Sequence, residues 1–177
     1  GEFQVDNTSG TLTSNYTVNQ NSALNLGAGS AARIFLADVA SQLNLNAGVV
    51  LSGNASISVA GGDADSLVLI DTVGISDGGN NYSLTINDDA GGWNQTNTRV
   101  QINVAGTHTG GTTLADGILI LGNKDALGAG GFTVTGGTLQ GSVDLSGANA
   151  LTYATSLAGN LTVSGTNNIT FNSTVVQ

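Results

Sequence analysis

The chain has no cysteine, no proline and no methionine, and only 3 lysine and arginine residues among 177. Each absence excludes a class of protein. Without cysteine there is neither a disulfide scaffold nor a thiolate metal site. Arg33, Arg99 and Lys124 are too few and too scattered to displace counterions from nucleic acid. Charge of either sign is scarce: 8% of residues are charged, and 12 acidic residues leave a formal charge of -9. That is roughly a third of the charged share usual in a soluble domain. No apolar run approaches the ~18 residues of a membrane helix, so no direct membrane insertion is expected. Disorder is excluded by what remains: 40% of residues are hydrophobic and the mean hydropathy is +0.14, whereas disordered chains are poor in apolar residues.

Small residues dominate instead. Gly 27, Thr 21, Asn 20 and Ser 16 make up nearly half the chain. Between them the apolar residues alternate, as at Leu24-Asn25-Leu26, Leu43-Asn44-Leu45, Ile57-Ser58-Val59, Leu67-Val68-Leu69 and Leu84-Thr85-Ile86. The pattern continues through Val100 to Val104, Ile118-Leu119-Ile120, Phe132-Thr133-Val134, Val143-Asp144-Leu145, Leu161-Thr162-Val163 and Ile169-Thr170-Phe171. Period two predicts short strands with one buried face. Gly61-Gly62-Asp63, Asp77 to Asn81, Gly91-Gly92, Gly110-Gly111 and Gly136-Gly137 read as turns, since Gly and Asn supply the positive φ that tight turns need. Residues 30–43 also carry a helical spacing at Leu36, Val39, Ala40 and Leu43 behind a candidate Ser30 cap. The alternation at Ile34 and Leu36 favours strands there.

Very short strands, few aromatics and small residues at the corners suit a solenoid of stacked parallel rungs better than a sandwich. Like positions then lie over like positions, which Asn and Thr tolerate and like charges do not. Phe132, Leu151 and Ile169 recur at a similar interval, as do Ile118, Leu139 and Leu161. At about 20 residues per coil the chain would make roughly eight or nine coils, a rod of roughly 40 Å at about 4.8 Å per strand.

Residues 109–141 read TGGTTLADGILILGNKDALGAGGFTVTGGTLQG. The elements are Gly110-Gly111-Thr112-Thr113, Gly117-Ile118-Leu119-Ile120-Leu121-Gly122, an Asn123 to Gly130 corner that includes Ala126, Leu127 and Gly128, then Phe132-Thr133-Val134 and Gly136-Gly137-Thr138-Leu139. This segment resembles the autotransporter-associated β-strand repeat, also called the passenger-associated transport repeat. Residues 64–108 look like a diverged neighbouring unit, with Asp89-Ala90-Gly91-Gly92-Trp93 in place of the usual Gly-x-Gly-Thr-Leu. The resemblance implies an all-β, right-handed, single-stranded parallel β-helix from the passenger region of a secreted or surface-displayed bacterial protein. Its repeat-motif residues would be structural. The implied partners are neighbouring coils and a translocator barrel of a longer parent. Residues 4–177 are then expected to form one continuous segment of that passenger, with Gly1-Glu2-Phe3 an appended remnant. The absence of cysteine fits a chain that crosses a narrow pore unfolded, and a solenoid can fold coil by coil because each coil contacts only its neighbours.

Other chemistry is weaker. Asn87-Asp88-Asp89 resembles a pectinase acid cluster, and paired carboxylates can cleave a glycosidic bond, but Asn-Asp-Asp before Gly-Gly is also an ordinary turn. No Gly-His-Gly or Arg-x-Lys accompanies it. Gly61-Gly62-Asp63-Ala64-Asp65 hints at a calcium nonapeptide but occurs once; Asp63, Asp65, Asp88 and Asp89 could bind a cation only adventitiously. His108 is expected at the surface, and Lys124-Asp125 as a solvated turn with a local ion pair. Trp93 could stack on a sugar, though a core or capping role is favoured. Thr-x-Thr pairs such as Thr133-Val134-Thr135 are not expected to share one coil position. The expectation is therefore a structural stalk, with no catalytic residue, metal or cofactor. A module binding host or environmental glycans is the alternative, and a polysaccharide lyase or hydrolase comes last.

Overall fold

The computed structural model describes residues 2–5, 17–19, 22–27, 31–36, 42–61, 67–88 and 99–177. These residues form strands and turns with no α-helix; one 3-10 turn covers Gly147–Asn149. An eight-stranded sheet runs, in spatial order, through Glu2–Val5, Ala31–Leu36, Ala55–Gly61, Leu84–Asp88, Thr112–Leu114, Phe132–Val134, Thr155–Leu157 and Val175–Val176. A seven-stranded sheet runs through Thr17–Asn19, Gln42–Asn44, Leu67–Ile70, Arg99–Ile102, Ile118–Leu121, Thr138–Gly141 and Thr162–Ser164. A three-stranded sheet holds Leu24–Gly27, Val49–Ser52 and Ile75–Ser76. Every strand pair is parallel. Up to Ser76 the chain visits the three sheets in rotation; beyond it the chain alternates between the first two. All of this is compatible with a β-helix.

Register explains the composition. In the seven-stranded sheet, Leu43 stands beside Val68, then Val100, Leu119, Leu139 and Val163 in turn. Leu43, Val68, Leu119 and Leu139 have no exposed surface. In the eight-stranded sheet, Ile57, Ile86, Leu114, Val134 and Leu157 form a matching column. Alternate residues point outward, since strand side chains change face at every step. There Ser56, Thr85, Thr113, Thr133 and Ser156 stand in one row, all half-buried. Of this row only Thr133 belongs to a Thr-x-Thr pair, since Thr85 and Thr113 are followed two residues on by Asn87 and Ala115, so such pairs do not recur at this position.

Of the strands expected within 30–43, Ala31–Leu36 and Gln42–Asn44 form; residues 37–41 lie outside the described residues. Two expected strands shrink to isolated bridges, Leu145 with Ile169 and Leu151 with Phe171. The expected stacking of Phe132 on Leu151 is also corrected. Phe132 stands between Thr112 and Thr155, and Ile118 stands beside Thr138 rather than Leu139. The cause is unequal corners: Val68 meets Val100, but Val100 meets Leu119, so a fixed interval in sequence does not track one column.

One core, mostly aliphatic with Phe132 and Tyr153 among its members, joins the sheets from Leu26 to Tyr153. Truncating a fully enclosed member should leave a cavity. Leu119→Ala is expected to cost about 2–5 kcal/mol in urea unfolding followed by circular dichroism. Val163→Ala, in the same column but 54% exposed, should cost less than about 1 kcal/mol; equal losses would contradict the burial pattern.

Candidate functional site

The motif segment folds onto itself. Thr112–Leu114 lies beside Phe132–Val134, and Ile118–Leu121 beside Thr138–Gly141. Leu119, Leu121, Ala126, Leu127 and Leu139 are completely enclosed. Gly111, Gly117 and Gly137 sit at turns with positive φ. Gly110, Gly122, Gly130 and Gly136 instead face a neighbouring rung at close range. A Cβ on Gly130 would stand 2.2 Å from the Gly111 nitrogen, a backbone atom that cannot swing away. The gap at Gly122 is filled by Asn103, whose Oδ1 accepts from Ser142 Oγ at 3.2 Å.

The corner from Asn123 to Gly130 is closed by its own polar groups. Asn123 Oδ1 accepts the Asp125 N–H at 2.9 Å, and the Asn123 carbonyl accepts the Ala126 N–H at 3.2 Å. The Asp125 carbonyl accepts the Gly106 N–H of the preceding rung at 2.9 Å. Lys124 and Asp125 pair at 2.8 Å with both side chains partly exposed, as expected of a solvated turn.

Beneath this corner lies a polar cluster. Asp77 is 1% exposed and covered by its own loop. Its Oδ1 accepts the Gly79 N–H at 2.8 Å; its Oδ2 accepts the Tyr82 N–H at 3.1 Å and the Thr109 N–H and Oγ1–H, both at 2.9 Å. Burial pushes this carboxyl up, but the four donors outweigh burial and hold it at about 2. The carboxylate thereby ties the 77–82 turn to Thr109.

His108 is fully buried, a correction to the expected surface position. Its Nε2 lies 2.8 Å from Thr112 Oγ1. Thr112 Oγ1 donates to the Leu127 carbonyl at 3.2 Å, so the ring nitrogen is assigned as the donor between them. Nδ1 is then left without a hydrogen-bond partner. It lies under Gly128, where a Cβ would come within 2.7 Å of it. Burial lowers the imidazole pKa; the nearby Ile75 carbonyl and Asp77 oppose that shift. Tyr153 closes the cluster from the next rung, its hydroxyl accepting the Leu127 N–H at 3.1 Å. Burial raises this phenol to about 12.

These groups hold structure together. Asp77 spends both oxygens on protein donors, His108 has no exposed surface, and Tyr153 holds its phenolic proton. A groove of about 390 Å³ runs above them along Gly128 to Gly131 and Thr152 to Ala154. Among the described residues no group of three His, Cys, Asp or Glu could hold a metal ion. Asp63, Asp65, Asp89 and Trp93 lie outside the described residues, and Asp88 is described only as the end of strand Leu84–Asp88. The roles of Asp77 and His108 were missed from sequence. Alternation gives no signal for His108, because the Gly110-Gly111 turn, with Gly111 at positive φ, separates it from strand Thr112–Leu114.

No protein-family model matches the chain, and neither a curated protein nor a solved structure matches it.

The close-packed glycine gives a sharp contrast. Gly130→Ala should destabilise by about 2 kcal/mol or more, by overpacking against backbone. Gly27→Ala, with nothing within 4 Å of the new carbon, should change stability by less than about 0.5 kcal/mol. Paired chemical denaturation curves decide this, and similar midpoint shifts would refute the close approach.

Acid should act in two stages. The native fold favours neutral His108, so the unfolded chain binds the extra proton and stability falls as pH drops through the ordinary 6.5. The Asp77 contribution is present above the ordinary 3.8 and lost as pH falls towards about 2. Asp77→Asn should remove the second stage and lower neutral-pH stability by about 1–3 kcal/mol. Urea midpoints measured across pH test both; a variant retaining the low-pH loss would remove Asp77 from this role.

Proposed function

We propose that this chain is a stalk segment of a secreted or surface-displayed, autotransporter-like bacterial passenger, which aids export and folding and displays other domains. Its architecture in this reading is a right-handed parallel β-helix. The coils take about 20 residues in the 99–177 half, where short corners separate stacked strands. Right-handedness follows the strong preference of parallel crossovers within one sheet. The observation that carries the reading is the self-stacking of the motif segment: Thr112 beside Phe132 and Ile118 beside Thr138, both in parallel, support reading the repeat as one turn of a parallel stack. Its polar groups are consumed internally, which supports a mechanical rather than a chemical role. The lack of cysteine supports passage through a pore in an extended state, followed by folding rung on rung.

The test is an export assay. The chain is fused between a signal sequence with cargo and a translocator barrel, with and without residues 109–141. Deletion is expected to lower the yield of protease-resistant cargo at the cell surface several-fold. Unchanged rate and yield would sink the proposal.

A further inference from the structure

The sequence contains two Asp-Gly dipeptides, Asp77-Gly78 and Asp116-Gly117, and no Asn-Gly. They sit in opposite environments. Asp77 is buried, and its oxygens are held by Gly79, Tyr82 and Thr109, none of them the following nitrogen. Asp116 is exposed at the turn between Thr112–Leu114 and Ile118–Leu121. Its Oδ1 accepts a hydrogen bond from the Gly117 N–H at 2.8 Å. The nitrogen that follows Asp116 is therefore held against its own side-chain carboxyl, and Gly117 carries no Cβ to shield it.

We propose that Asp116 is a site of spontaneous isoaspartate formation, and that the fold protects the chemically identical dipeptide at Asp77. The Gly117 nitrogen attacks Asp116 Cγ. The new N–C bond closes a five-membered imide; the C–OH bond of the carboxylic-acid form breaks, and that hydroxyl leaves as water with the amide proton. Hydrolysis at the α-carbonyl returns that water and leaves the main chain running through Cγ, one methylene longer. Holding the two groups in contact is what speeds such a ring closure. The lengthened link falls at a sensitive place. The Gly117 carbonyl accepts the Thr138 N–H of the next rung at 2.8 Å, and Gly137 packs over Asp116. The modification breaks the Ile118–Thr138 register where the motif stacks on itself, so it marks aged copies of the protein by loosening one rung.

The experiment is timed incubation of the folded chain in warm neutral buffer. It is followed by labelling with an isoaspartyl methyltransferase and peptide mapping by mass spectrometry. Label is expected to accumulate at Asp116 at least about tenfold faster than at Asp77. The same chain in denaturant should label both sites at similar rates, because protection at Asp77 belongs to the fold. Asp116→Glu, which keeps the charge but requires a six-membered ring, should abolish label at that position; folding of the variant is checked by circular dichroism. Equal labelling of the two sites in the native protein would overturn the proposal. So would an unlabelled Asp116 in the folded chain when the denatured chain labels there.

Discussion

A parallel rung places each residue about 4.8 Å from its counterpart on the next rung. The nearest neighbour of a side chain is therefore the side chain in the same position on the adjacent strand. Everything else in the structure answers to that constraint. An aliphatic residue is satisfied by another aliphatic residue, so Leu43, Val68, Val100, Leu119 and Leu139 can repeat without limit. A hydroxyl stands over a hydroxyl without repulsion, as in the outward row from Ser56 to Ser156. A carboxylate over a carboxylate repels. A chain built this way must be poor in charge, and the 8% charged residues follow from geometry.

The alternation at Leu84-Thr85-Ile86 or Phe132-Thr133-Val134 announces a strand and its buried face unaided, because period two has no other cheap explanation. Register is different. It depends on corner length, and corners vary without a hydrophobic signature; thus Phe132 found Thr155 rather than Leu151. Bridges at Leu145 and Ile169 were legible as alternation but not as interruption. Within the candidate site, the enclosed Leu119, Leu121 and Leu139 could be read directly. Asp77 could not: an Asp before Gly-Gly-Asn-Asn looks like any turn, and nothing local reveals that its donors include Thr109, 32 residues away.

Asp77 and His108 show how a polar group enters such a stack. Neither belongs to a repeating column, so neither confronts a like group. Asp77 is admitted because four donors converge on it, and charge-assisted bonds of that kind compensate for lost water. His108 is admitted half-satisfied, with one nitrogen bonded to Thr112 and the other left under Gly128. The unpaired nitrogen has a cost, which the ring offsets by filling the inward space beneath Gly106 and Gly128. The glycines and the histidine are thus one packing solution: a Cβ on Gly128 would strike both the His108 carbonyl and its ring.

The corner glycines extend the same logic to the backbone. Leu84 N–H donates to the Gly111 carbonyl at 3.0 Å, and Thr112 N–H donates to the Gly131 carbonyl at 2.9 Å. Each corner is therefore the template for the next, and main chains approach too closely for a Cβ at Gly110, Gly130 and Gly136. Contacts made this way join neighbours within one sheet. The exceptions are side chains that reach further, such as Ser142 bonding Asn103 across the gap at Gly122. That bond spans two rung steps, and the missing side chain at Gly122 is what lets it pass. A glycine in this architecture is thus a passage as well as a corner.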